Sequence, residues 1–191
     1  MSKLVIALTD DPGAVVSSTT DASQIAQTLA GRGIDFGRWA ADRELPADAT
    51  QDDILAAYAE RVRAVGERGY TTVDVARMNP DPADPGYAEM VAGARGRFLS
   101  EHRHADDEVR FFVEGSGVFY LHLDDEVLML LCEAGDFVSV PAGTTHWFDM
   151  GTRPRFTAIR FFQSADGWVG DFTGSDIATR FPTYDQLAGP S

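Results

Sequence analysis

The sequence predicts a mainly β fold, a jelly-roll-like barrel with peripheral helices and an α/β N-terminal part. Three observations carry this. From about residue 97 to 163, short apolar or alternating runs follow one another: "VRFFV", "VFYLHL", "VLMLL", "DFVSV", "HWFDM" and "RFTAIRFF". Glycine-bearing or charged turns ("EGSG", "DDE", "EAGD", "PAGTT", "GTRPR") separate them at short, regular spacing, the rhythm of an antiparallel barrel. Residues 1–95 instead mix helical and strand patterns.

The N-terminal elements follow in order. "KLVIAL" is strand-like, and "SSTTDAS" offers N-cap candidates ahead of "QIAQTLAGRG", a short helix closed by Gly31 or Gly33. "DATQDDILAAYAERVRAVGERGY" is the strongest helical pattern in the chain. Thr50 and Asp53 have capping-box spacing, and Ile54, Tyr58, Val62 and Val65 recur at helical period. "DPADPGYAEMVAGARGRF" predicts a proline-bounded loop and a shorter helix. The aromatic tail "GWVGDFTGSDIATRFPTYDQL" is expected to pack back on the barrel. Without a repeat, a low-complexity tract or a linker, residues 1–191 are expected to form one domain, with the barrel core at about 97–163.

Bulk composition narrows the function classes. A chain of 191 residues is long enough for one self-sufficient core. Its net charge of -14 and pI of about 4.5 oppose binding to nucleic acid or to an anionic membrane. Cys132 is the single cysteine, so no intramolecular disulfide forms, and its apolar surroundings "VLMLLCEAG" mark an inert core thiol. No window holds 18 consecutive apolar residues, and the apolar run in "MSKLVIALTDDPG" is too short for a signal peptide. With no coiled-coil pattern either, the expectation is a cytoplasmic monomer.

The chemistry concentrates in "EHRHADDEVRFFVEGSG". Side chains at i and i+2 of a strand leave the same face, so His102 and His104 can converge on one point. Glu108, Arg110 and Phe112 continue that parity, and the Asp106–Asp107 pair is a place where a bulge or turn would interrupt it. His146 follows "VPAGTT" in a later strand. Three imidazoles and one carboxylate suit a borderline divalent metal such as Fe, Ni, Mn or Co, and suit Ca or Mg poorly. Four protein ligands leave two of six octahedral positions open for substrate or water, unlike a closed structural zinc site. His122, in "FYLHLDDE", reads as structural. Glu101, Asp106 and Asp107 have two readings: they orient the ligand histidines, or they form an acidic turn.

The stretch Gly96-x5-His102-x-His104-x3-Glu108-x6-Gly115 resembles the first motif of the cupin superfamily, and Gly135-x5-Pro141-x-Gly143-x2-His146 resembles the second. Met150 stands where many cupins carry an asparagine that is not a ligand. Over nearly the whole chain, "GIDFGRWAADREL", "FLSEHRHADDEVRFFVEGSGVFYLHL", "VPAGTTHWFDMG", "FTAIRFF" and "GWVGDFTGSDIA" are similar to the acireductone dioxygenase family of methionine salvage. The resemblance implies one Fe(II) or Ni(II) per chain, held by His102, His104, Glu108 and His146. It also implies O2-dependent cleavage of 1,2-dihydroxy-3-keto-5-methylthiopentene, with the products set by the metal.

Around that centre, Arg110 is expected to face the lumen. Its guanidinium then needs an anionic partner, either the substrate dianion or an acidic neighbour. Arg160, in "AIRFF", invites the same argument and is expected to hydrogen-bond the chelated substrate. Phe98 and Phe148 are expected to wall the pocket, where ring faces suit a planar enediol with a thioether tail; the alternative for both is plain core. Two competing functions share the ligand set: another cupin oxygenase, of oxalate or flavonol type, and a non-catalytic ligand binder or metal-dependent sensor.

Overall fold

The computed structural model describes residues 1–164 and 169–189. Gly167 and Trp168, part of the tail words quoted above, lie outside the described residues. In chain order the strands are β1 (Lys3–Leu8), β2 (Val15–Thr19), β3 (Asp35–Arg38), β4 (Thr72–Met78), β5 (His102–Arg103), β6 (Glu108–Leu123), β7 (Glu126–Glu133), β8 (Asp136–Val140), β9 (Thr145–Asp149), β10 (Phe156–Phe162) and β11 (Asp171–Phe172). The helices are α1 (Ala22–Ala30), α2 (Gln51–Ala57), α3 (Ala59–Gly66), α4 (Tyr87–Gly96) and α5 (Tyr184–Ala188), with a 3-10 turn at Ile177–Arg180.

Two antiparallel sheets share β6. One runs β11-β5-β9-β6-β7-β1-β2, and the other places β10 and β8 beside the first half of β6, with β4 outside β10 and β3 outside β8. The long β6 serves both sheets because it bends at Gly115, whose φ is +64°. A Cβ there would collide with the Arg155 carbonyl, so only glycine fits, and the β6–β10 register shifts beside it, between Thr157 and Ala158.

The sheet is wider than the expected 97–163 core. β1 pairs with β7, β3 with β8 and β4 with β10, so N-terminal strands complete both walls. The "TVDVARM" strand alternates too weakly in hydrophobicity to stand out in the sequence. Between the sheets lies an apolar cluster that includes Leu4, Ile6, Phe112, Phe119, Leu121, Leu128, Leu130, Val138 and Ala158. Cys132 is fully buried there, and burial pushes its thiol well above the usual range, which keeps it protonated and inert.

A second cluster forms where α2 and α3 cover the outer face of the β4-β10-β6-β8 wall. Ile54, Tyr58 and Val65 pack there on Phe111, Phe137 and Phe161. The pattern over 48–70 predicts one helix, but the chain breaks at Tyr58, with φ -115° and ψ 25°. At the break the Tyr58 ring turns into the cluster and meets Phe111 edge-on at 5.4 Å. The Thr50–Asp53 capping box forms as its spacing predicts, with Asp53 N–H donating to Thr50 Oγ1 at 3.2 Å and Thr50 N–H to Asp53 Oδ2 at 2.9 Å. α1 is capped by Asp21, which accepts from the Ser23 and Gln24 amides, and it stops at Gly31.

The tail packs on the first sheet. Ile177 and Phe181 bury against Trp147 and Tyr120, and the Tyr120 hydroxyl donates to the Pro182 carbonyl at 2.7 Å.

Candidate metal centre

β5 and β9 run antiparallel with His102 directly opposite His146. β5 is only two residues long, and His104 follows it directly. The turn at Ala105–Asp106 then redirects the chain into β6, which starts at Glu108. All three histidines are buried, with ring centroids 4.6 to 5.1 Å apart, and each offers a ring nitrogen within 4.8 Å of the others. Glu108 Oε2 lies 3.6 Å from His104 Nε2. The hydrogen-bonded strand ends one residue short of His104, and the convergence that strand parity predicts occurs.

Backbone carbonyls fix the orientation of each ring. His102 Nδ1 bonds to the Ser100 carbonyl at 2.7 Å, His104 Nδ1 to the Val169 carbonyl at 3.0 Å, and His146 Nδ1 to the Thr144 carbonyl at 2.8 Å. A carbonyl can only accept, so each Nδ1 carries the proton and each Nε2 keeps its lone pair. His146 Nε2 is buried without a hydrogen-bond partner among the described residues. An inward-facing lone pair of that kind fits a metal ion. Burial also favours the neutral, ligating form of two of the rings: His102 is lowered, and His146 is pushed down to about 4.

Glu108 is a different case. Burial pushes its carboxyl up, but the Arg110 guanidinium beside it outweighs that and leaves it below its ordinary value. Arg110 forms an ion pair with Glu108, and burial lowers its guanidinium to about 10. The Glu108 carboxylate beside the three imidazoles is therefore held ionised.

The acidic residues near the ligands do not contact the imidazole nitrogens of His102, His104 or His146. Glu101 bonds to His122 Nδ1 at 2.6 Å and accepts from the Thr173 hydroxyl at 2.7 Å. Asp107 accepts from the Tyr70 hydroxyl at 2.6 Å and the Ala142 amide at 2.9 Å, and Asp106 accepts from the Ser164 amide and hydroxyl. Carbonyls of Ser100, Thr144 and Val169 take the orienting task, and backbone groups leave no sequence signature. His122 lies away from the triad, tied to Glu101, in keeping with a structural role.

A pocket opens beside the histidine triad, lined by His102, Glu108, Arg110, His146 and Arg160 at one end and by Phe98, Phe112, Phe119, Phe148, Met150 and Phe156 elsewhere. Phe98 and Phe148 are adjacent along it, with the Phe148 amide donating to the Phe98 carbonyl at 2.9 Å. Arg160 faces the pocket, but its guanidinium already forms two hydrogen bonds to Asp74, at 2.6 and 2.5 Å. Sequence reasoning missed Asp74. Its signal was a carboxylate between Val73 and Val75 in a strand, on the opposite face from those two apolar neighbours.

The comparisons agree with this geometry. The sequence model of the ARD/ARD' family matches residues 17–170. The chain is 58% identical over 190 residues to acireductone dioxygenase 1 of Nocardia farcinica, covering 99% of this chain and 100% of that protein. It is 55% identical over 175 residues to the acireductone dioxygenase of Frankia alni, covering 91% and 84%. Among solved structures, acireductone dioxygenase from Bacillus anthracis, with a cadmium ion in its active centre, superposes with a TM-score of 0.73 at 26% identity, covering 90% of this chain and 98% of that one. With a jelly-roll-like barrel of cupin type around a buried histidine triad, this chain belongs to the ARD/ARD' family of acireductone dioxygenases.

Proposed function

We propose that the protein is a metal-dependent dioxygenase that cleaves acireductone with O2. The product would be 2-keto-4-methylthiobutyrate with formate when Fe(II) is bound, or methylthiopropionate, formate and CO when Ni(II) is bound. One ion per chain is held by His102, His104, Glu108 and His146. The observation that carries this reading is the set of buried imidazoles whose Nδ1 atoms are tied to carbonyls, so that their Nε2 lone pairs meet beside Glu108 and two guanidiniums.

When bound, the metal would supply Lewis acidity toward the oxygens of the substrate. The remaining work falls to the chain. Arg110, buried in the charged layer of the wall, supplies positive charge where the enediolate forms, and a fixed charge in a site that excludes water stabilises developing anion strongly. Arg160, held by Asp74, adds a second donor at a position fixed by that ion pair. Phe98 and Phe148 present ring faces to the planar enediol and its thioether tail, and they exclude water from the reacting carbons. The single cysteine and the acidic surface support a cytoplasmic monomer that binds neither nucleic acid nor membrane; no helix among the described residues is long and apolar enough to cross a bilayer.

Chelated protein reloaded with Fe(II) is expected to consume O2 and acireductone and release formate with the keto acid, while Ni(II) shifts the products to CO. Absence of turnover with either metal would remove the enzymatic reading in favour of a ligand-binding cupin.

A further inference from the structure

The pocket wall is built in layers by the registers of β4, β10, β6 and β9. Asp74, Arg160 and Arg110 lie side by side across three strands, next to the metal ligands. Two residues along, the same strands place Ala76, Ala158 and Phe112 side by side. On β9, Phe148 is two residues beyond His146 and pairs with Phe119 of β6. The next layer holds Phe156 on β10 and Met150 just after β9, both lining the pocket. The wall thus turns from charged to apolar within one step.

In that second layer only Ala76 and Ala158 are small; Phe112, Phe119 and Phe148 fill the rest. The aromatic side has no room to retreat. The Phe148 ring packs on the bare backbone of Gly117, where a Cβ would lie 2.7 Å from Cε2, and it meets Phe119 at 4.9 Å and Phe156 at 5.6 Å between centroids. The free width of the pocket is therefore set by the alanine pair, and its far end by Met150 and Phe156. Consecutive layers are two residues of strand rise apart, about 7 Å, which accommodates a straight chain of about four or five heavy atoms.

We infer that the Ala76–Ala158 pair and Met150 determine tail-length specificity, so that this site selects metal-chelating enediols with a single unbranched apolar tail of about four heavy atoms. The inference deepens the acireductone reading and rests on it. Neither alanine touches the reacting atoms; both act by leaving space.

The test uses Ni(II)-loaded protein and straight-chain alkyl hydroxamates, chelators that bind without being turned over, with affinity measured by calorimetry. For the natural sequence, affinity should rise about fourfold per added carbon until the tail reaches about four, then level or fall. Ala158→Val should end that rise one or two carbons earlier and weaken the butyl ligand about tenfold. Met150→Ala should move the optimum the other way, toward longer tails. Ala76→Val repeats the first substitution from the opposite strand if Ala158→Val does not fold. An optimum that stays put in all variants, or affinity independent of length in the natural protein, overturns the inference. Because binding is read apart from turnover, an intact length profile without acireductone consumption overturns only the reaction, and turnover with a flat profile overturns only the length selection.

Discussion

Arg110 and Arg160 stand directly opposite each other on β6 and β10, and the ring of Phe162 lies 5.5 and 5.4 Å from their guanidinium carbons. Two like charges tolerate this closeness because each has its own carboxylate, Glu108 for Arg110 and Asp74 for Arg160. The two pairs differ in what they leave free. Asp74 has no place among the metal ligands, so Arg160 stays engaged. If Glu108 serves as the ligand proposed above, the Arg110 charge is left to face the pocket.

Arg110→Ala should therefore keep its metal and lose about a hundredfold or more in kcat/KM, since charge placement at the forming enediolate is removed. In the metal-free variant Glu108 is buried without a partner, so thermal stability should fall and then recover on metal loading. Arg110→Lys should restore only part of the rate, because an ammonium lacks the planar fork. Metal analysis with O2-electrode kinetics decides the matter. Natural turnover in Arg110→Ala would make the residue a structural partner of Glu108 alone.

His104→Ala should lower metal content and activity together, even though His104 lies just outside the β5 strand. His122→Ala is the matched control. Its ring bonds to Glu101, so that variant should bind metal with normal stoichiometry. Full metal occupancy in His104→Ala would remove that residue from the ligand set.

Acid should destabilise the metal-free protein over a defined window. Burial holds His146 at about 4 in the folded state, below its ordinary 6.5, and lowers His102 as well. Between those values the unfolded chain binds protons that the folded chain refuses. The stability these groups contribute is present above about pH 6.5 and is lost as the pH falls toward 4. For His146 alone the loss is on the order of 3 kcal/mol. Thermal melts from pH 7 to 4 should show a shallower decline in His146→Gln, and equal slopes would contradict the buried neutral imidazole.

Gly117→Ala should cost about 1–3 kcal/mol, because the new methyl group collides with the Phe148 ring and forces it off its seat. A melting temperature equal to that of the natural sequence would show that the ring moves without strain.

Much of the site was legible in the sequence because its signals are local. His102, His104 and Glu108 lie within seven residues, His146 follows a glycine-marked turn, and the alternation in "EVRFFVEG" separates lumen residues from those packed behind, Phe111 and Val113. The single long helix read over residues 48–70 failed at Tyr58. Helical period alone does not register that a tyrosine ring will leave the helix axis to pack on Phe111, a contact with a distant strand.

By itself, then, the sequence determined the barrel class and the metal-ligand candidates, since turn chemistry, strand period and ligand type are properties of short windows. Tertiary structure decided the partners. Arg160 meets Asp74 across 86 positions, His104 takes its orientation from the Val169 carbonyl 65 positions away, and Glu101 turns to His122 instead of to a ligand. Strand register fixes such pairings, and register is settled by the packing of both sheets together. The Ala76–Ala158 pair is the same case: two unremarkable alanines in the sequence become an opening only where β4 and β10 lie side by side.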